Sequence, residues 1–253
     1  MPEEMFDGGV AHGYDDHYGR PPGVVDEMVT ALAPLFGGQD VAELGAGTGQ
    51  VAGPLAAAGV NVIAIDPSED MLAVLRRRYP SVPHLVTSGT TLPFDDGTLD
   101  GAMSFQVLHM VPEWLEIFKQ MLRVVRPGGL LVVELPETLP EVSGEIMHRA
   151  WVELGRPVYT RALSTFYLLD EYAGSQGLEL VELPRIGQPY TQTVEYLVWF
   201  WTSELMTRRW NVSAELMADV GTRLRAWADE TYGLATEVPF TGIVNWRGYR
   251  LPA

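Results

Sequence analysis

Residues 41–50 read VAELGAGTGQ. Three glycines at alternate positions, Gly45, Gly47 and Gly49, follow a short apolar run that carries one acid, Glu43. Glycine has no Cβ and reaches positive φ readily, so such a stretch lets backbone close on a ligand. A triphosphate-binding loop needs GxxxxGK followed by Ser or Thr, and no lysine stands here. A dinucleotide fingerprint needs its third glycine at the sixth place of GxGxxG, where this chain has Gln50. Asp66 follows Gly45 at about the 20-residue spacing, and at the strand end, where a carboxylate accepts both hydroxyls of a ribose. A helix N-cap before Pro67 is the alternative role for Asp66. Neither phosphate class fits the loop, yet a ribose acceptor is in place.

The other groups able to do chemistry are few. Cysteine is absent, which excludes disulfides, thiolate nucleophiles and cysteine-ligated metals. Of the five histidines, His12, His17, His84, His109 and His148, no pair has the HExxH spacing of a helix-borne zinc site. No metal site is expected. His109, in FQVLHMV, is a candidate general base, with His17 and Tyr18 as rivals. The charge balance of 17 basic against 33 acidic residues, −16 overall, repels phosphate backbones and argues against a nucleic-acid partner. No apolar run reaches the roughly 18 to 20 residues that span a bilayer. The acidic opening MPEEMFDGG lacks an apolar signal region, so a soluble cytoplasmic protein with no membrane partner is expected.

The elements that must carry these residues alternate between strand and helix. DVAELG (40–45) reads as a strand and GQVAGPLAAAG (49–59) as its helix, closed by Gly59. NVIAID (61–66) is the second strand. The following helix has Ser68 as cap, Glu69 and Asp70 in its first turn and Arg76 to Arg78 in its last, matching the helix dipole. HLVTS (84–88) and LDGAMSFQ (99–106) are strands three and four. Pro112 opens a helix with Trp114, Leu115, Phe118, Met121, Leu122 and Val125 on one side. RPGG (126–129) then turns into strand five, LLVVELP. The strands are apolar without alternation, as expected when both faces are covered. An α/β fold follows: a Rossmann-like, doubly wound, mostly parallel sheet with helices on both faces. Further on, residues 143–176 read as helical and GLELVELPRI (177–186) as a strand. Helix 193–209 and a helix from Ser213 to Gly233 form a two-helix insertion before a last strand at 237–250. We expect one domain over 1–253, with an N-terminal arm and helix at 1–36, a cofactor-binding core at 37–136, and a C-terminal half at 137–253 whose lid helices span about 193–232.

With these residues in place, the chain resembles the class I S-adenosylmethionine-dependent methyltransferases, of the type 11-like, small-molecule group. Val41, Glu43, Gly45, Gly47 and Gly49 match the family's first motif, AIDPS (64–68) its GxDxS, and TLPFDDGTLDGAMSFQVLHMV (91–111) its strand-four segment. MLRVVRPGGLLVV (121–133) matches its strand-five entry, and HGYDDHYGRPPG (12–23) resembles its YDxxRPxYP arm. The resemblance covers roughly residues 10–136 and implies S-adenosylmethionine as cofactor and S-adenosylhomocysteine as product. It places Gly45, Ala46, Gly47, Asp66 and Pro67 on the cofactor, and Glu43 toward its ammonium group. Met71 is placed at the adenine, with a core role as alternative. Ser88 stands where the family usually has an aspartate for the adenine amino group, which leaves Gly89 and Thr90 to hold it by backbone. Gln106 faces the methionyl end. Tyr14 closes over the cofactor and Arg20 pairs its carboxylate, unless the arm is merely solvated. Helix 193–209 is apolar almost all round, so Tyr196, Trp199 and Phe200 are candidates to bind a small apolar or aromatic acceptor. A core or dimer contact is the alternative, and the assembly is expected to be a monomer or homodimer. The competing function is a protein of the same fold that binds the cofactor without methyl transfer, as a cyclase or regulatory binder does.

Overall fold

The computed structural model describes residues 6, 8–21, 23–136, 138–155 and 163–253, with the side chains of 163–166 left aside. Seven strands form one sheet in the order β3-β2-β1-β4-β5-β9-β6. β1 (Asp40–Leu44), β2 (Asn61–Asp66), β3 (His84–Val86), β4 (Leu99–Phe105) and β5 (Val125–Leu135) pair in parallel. β9 (Asn245–Arg250) runs antiparallel to both β5 and β6 (Glu179–Val181). The chain winds outward from β1 to β3, then returns to place β4 on the other side of β1. That reversal is the topological switch point, and ligands of such sheets sit beyond the carboxyl ends of the strands there.

Each face of the sheet is covered for a reason visible in the sequence. On one side, α2 (Val24–Phe36), α3 (Ala52–Ala57) and α4 (Glu69–Arg78) bury Met28, Leu32, Phe36, Leu55, Leu72 and Leu75. On the other, α5 (Trp114–Val124) and α7 (Leu163–Ser175) bury Phe118, Met121 and Leu169. Ser68 caps α4 by accepting from the Met71 N–H at 3.2 Å. The Asp66 side chain is therefore not the cap of that helix.

α6 (Glu141–Glu153) precedes α7, and the two fall largely in the stretch 143–176 that reads as helical, of which residues 156–162 lie outside the described residues. The insertion holds three helices where the pattern suggested two. The apolar run 193–209 is divided into α8 (Val194–Trp201) and α9 (Glu204–Arg209), because Ser203 adopts extended backbone and caps a new helix at the Met206 N–H. α10 (Ala214–Tyr232) follows, capped by Ser213 and closed by Gly233. A two-stranded ribbon of β7 (Tyr190–Thr193) and β8 (Glu237–Phe240) brackets these helices. The expected last strand, 237–250, is thus split between two sheets. Gly242, at φ 61°, lets the chain turn: a Cβ there would lie 1.9 Å from the Gln188 carbonyl oxygen. RPGG (126–129) also lies inside β5, at an irregularity in the β4–β5 register between Leu99 and Gly101. α1 (Gly9–Tyr18) gives the N-terminal arm a regular form, and it packs on α4.

Candidate functional site

The loop after β1 is held in shape by its glycines. Gly45, Gly47 and Gly49 have φ of 74°, 54° and 81°, the left-handed region that L side chains resist. A Cβ on Gly45 would also meet Val107 Cγ2 at 2.2 Å, and one on Gly49 would meet Leu75 Cγ at 2.9 Å. The loop is thereby pressed between the segment after β4 and the helix after β2. Ala46 is buried beneath it, and Met71 reaches Gly47, where a Cβ would lie 3.1 Å from its Cε. Asp66, buried at the end of β2, ties the loop down: Oδ2 accepts from the Gly47 N–H and Oδ1 from the Ser68 N–H, each at 2.9 Å.

Between these segments lies a narrow crevice of about 30 Å³. Its walls are mostly apolar: Leu44 and Gly45 from the end of β1, Ile65 and Pro67 around the end of β2, Gly89 after β3, and Val107 and Val111 after β4. Ser88 also lines it, and the Thr90 hydroxyl lies 2.9 Å from that of Ser88. His109 is buried in the turn between Val107 and Val111.

The polar side of the site is strongly acidic. Glu43, Asp66 and Glu134 end β1, β2 and β5, and all three are buried. One guanidinium, Arg20, answers them among the described residues. It grips Glu134 with both of its terminal nitrogens, Nη1 to Oε1 at 2.8 Å and Nη2 to Oε2. Gln106 adds a 2.8 Å bond from Nε2 to Glu134 Oε1, from a backbone at φ 61°. Glu43 receives no such partner: its Oε2 is buried with no hydrogen bond. Burial pushes the Glu43 carboxyl up to about 8, with Arg20 opposing and Asp66 and Glu134 reinforcing. Burial likewise pushes the nearby Tyr14 hydroxyl up to about 12, against the pull of Arg20.

α1 closes over this region. Asp15 Oδ1 accepts from Thr48 Oγ1 at 2.5 Å and from Gln50 Nε2 at 2.7 Å, and the same side chain pairs with Arg78. Farther along α1, Tyr18 stacks on Trp199 with centroids 6.2 Å apart and meets Phe200 edge-on at 5.9 Å. The exposed His17 lies 5.4 Å from Trp199. The three aromatic residues expected to line an acceptor site therefore meet the arm first. Tyr196 and Trp199 also open onto a hollow of about 550 Å³ between α8 and α10, rimmed by the Glu195–Arg225 ion pair. Phe200 faces Tyr18.

Glu134 did not stand out in the sequence, although its signal matches that of Glu43, an acid at the end of an apolar strand. Asp15, Thr48 and Gln50 gave no local signal, since their partnership is made only when α1 lies on the loop.

The fold agrees with that of known proteins. Residues 42–133 match a family described as methyltransferase domain. Residues 42–133 thus carry the sequence of a methyltransferase domain. Its glycine loop and Asp66 fall inside the matched residues; Arg20 and Glu134 fall outside. A demethylmenaquinone methyltransferase of Paenarthrobacter aurescens is 43% identical over 110 residues, 44% of this chain and 42% of that protein. The chain thus aligns with about two-fifths of the length of the curated relatives it matches. Two solved structures share the fold. Phosphoethanolamine N-methyltransferase 2 of Haemonchus contortus, solved with S-adenosylhomocysteine, has a TM-score of 0.57 at 16% identity over 99% of this chain and 60% of that one. The [4+2]-cyclase SpnF has a TM-score of 0.54 at 20% identity, over 90% and 82%. No described helix of the methyltransferase domain or its insertion is long and apolar enough to cross a membrane.

Proposed function

We propose that the chain transfers a methyl group from S-adenosylmethionine to a small apolar or aromatic molecule. The observation that carries this reading is the acidity of the site: three buried carboxyl groups, of which Asp66 and Glu134 outweigh the single guanidinium, with Glu43 Oε2 lacking any donor. A pyrophosphate brought here would meet like charge in a poorly screened place. A cofactor bearing a sulfonium and an ammonium group supplies the positive charge and the N–H donors the site lacks. S-adenosylmethionine brings a methyl group already activated on sulfur, so the protein's work is alignment, exclusion of water and handling of a proton.

In this reading Glu43 takes the ammonium group and Asp66 the ribose hydroxyls. Gly45, Ala46 and Gly47 keep the loop close. Pro67, Met71, Gly89 and Thr90 surround the adenine, and Gln106 borders the methionyl end. Tyr14 covers the cofactor, and Arg20 shares itself between Glu134 and the cofactor carboxylate. His109, beside the crevice-lining Val107 and Val111, is the proposed base, with His17 and Tyr18 as rivals. Tyr18, Tyr196, Trp199 and Phe200 offer flat apolar surface to an acceptor. The demethylmenaquinone methyltransferases among the relatives point the same way, toward a planar quinol-like ring.

The test is a panel of quinols, phenols and amines incubated with the chain and cofactor carrying a deuterated methyl group, read by mass spectrometry. Gain of one labelled methyl on a quinol or phenol supports the reading. Cofactor binding with no labelled product from any acceptor favours the non-transferring alternative.

A further inference from the structure

The arrangement around Glu43 has a consequence for how the cofactor is captured. Glu43 ends β1, and the groups that face it come from every neighbouring element. Asp66 comes from β2, Glu134 from β5, Arg20 from the segment after α1, and a backbone N–H from Ala52 at the start of α3. Both terminal nitrogens of Arg20 are spent on Glu134. Asp66 and Glu134 add negative charge, and Oε2 of Glu43 has no donor. A carboxylate in that position has neither water nor a counter-charge of its own, so the stable form is the neutral acid.

We propose that cofactor capture is coupled to a proton: seating an ammonium group on Glu43 expels the proton that this buried carboxyl otherwise holds. The inference rests on the S-adenosylmethionine reading and deepens it. The balance is simple. The O–H bond of Glu43 breaks, its proton passes to solvent, and the carboxylate accepts hydrogen bonds from the ammonium group, which keeps its own protons.

The sign follows from the two titrating partners. Burial pushes the Glu43 carboxyl up to about 8, and with an ammonium group beside it the carboxyl ionises at lower pH. Protons therefore compete with the cofactor, and affinity falls as pH drops below about 8. An α-amino group ordinarily titrates near 8 as well, and a carboxylate partner raises it. Affinity then also falls as pH rises above that point, with proton uptake in place of release. Each flank has a limiting slope of about tenfold per pH unit. The alkaline flank belongs to the ligand. The acid flank belongs to Glu43 and is the chain's own signature.

The experiment is calorimetric titration at pH 6.5 in phosphate and in imidazole, whose ionisation heats differ, so that the difference in binding heat counts protons. Three probes separate the terms: S-adenosylmethionine, S-adenosylhomocysteine, and 5′-methylthioadenosine, which has the nucleoside without the amino acid. Release of close to one proton with the first two, and none with the third, is expected. Glu43→Gln mimics the neutral acid in shape and is expected to bind S-adenosylhomocysteine with no release. Binding of both amino-acid probes without buffer-dependent heat overturns the proposal, as does the same release from Glu43→Gln. Failure of all three probes to bind at any pH overturns the cofactor reading beneath it. A second measurement needs no ligand. An unfolded Glu titrates at 4.5 and the folded group near 8, so the unfolded chain sheds this proton first, and the wild type loses stability relative to Glu43→Gln as pH rises from 5 to 8. Melting curves that run parallel across that range also overturn it.

Discussion

Removing Arg20 tests the electrostatics of the site at its most exposed point. Arg20→Ala deletes the guanidinium that forks onto Glu134 and leaves Glu43, Asp66 and Glu134 clustered without a cation. Breaking a buried ion pair by deleting one partner costs about 3–5 kcal/mol, mostly because the other charge stays buried and unpaired. Two features put this site at the low end. The Arg20 side chain is 15% exposed against 3% for Glu134, so water enters the vacated space from the arginine side. Gln106 also keeps its 2.8 Å bond to Glu134. A loss of about 3 kcal/mol corresponds to a fall in Tm of roughly 6–12 °C for a chain of this size. Urea unfolding of Arg20→Ala, Glu134→Gln and the double variant gives the coupling between them. The double variant is expected to lose less than the sum of the singles, by about 1–3 kcal/mol. Additivity within about 0.5 kcal/mol, or a loss from Arg20→Ala below that figure, refutes the view that Arg20 neutralises this cluster.

Asp66→Ala is expected to weaken S-adenosylmethionine by roughly 10- to 100-fold, the worth of a charged hydrogen-bond acceptor of about 1.5–3 kcal/mol, and to lower Tm because the Gly47 and Ser68 N–H groups lose their acceptor; unchanged affinity in the folded variant removes Asp66 from the site. His109→Gln is expected to lower kcat by about 10²- to 10⁴-fold with cofactor affinity nearly unchanged. Full activity in that variant transfers the search to His17 and Tyr18, or to alignment without a base. Hydrogen exchange in α1 is expected to slow when cofactor is added and to quicken in Asp15→Ala, which loses the contacts to Thr48, Gln50 and Arg78; equal exchange in all three states counts against a lid role for the arm.

What could be read from the sequence was local. The parallel core announced itself in mostly apolar strand runs without alternation, separated by helical patterns. The cap of α4 was plain from Ser68 and from the acids and arginines at its two ends. The glycine loop and Asp66 stood out by residue type and spacing, and Glu43 through the family resemblance. The remaining features were settled by contacts distant in sequence. The turn that divides 237–250 between two sheets depends on Gly242 approaching Gln188, and nothing within the segment requires it. RPGG looks like a turn, but Gly129 fits inside β5, where a Cβ would lie 2.6 Å from the Asp100 carbonyl oxygen. Ser203 offered a capping signal within the run 193–209, masked by the apolar residues around it. Glu134 carried the same strand-end signature as Glu43, yet its meaning appears only once Arg20 is brought to it from the arm.

The central claim is that the carboxyl edge of β1, β2 and β5 is built for a cationic, phosphate-free cofactor. Its most direct test is calorimetric titration of the wild-type chain with S-adenosylmethionine and, separately, with NAD. Saturable one-to-one binding of S-adenosylmethionine with no heat from NAD is expected. Binding of NAD with none of S-adenosylmethionine contradicts the account.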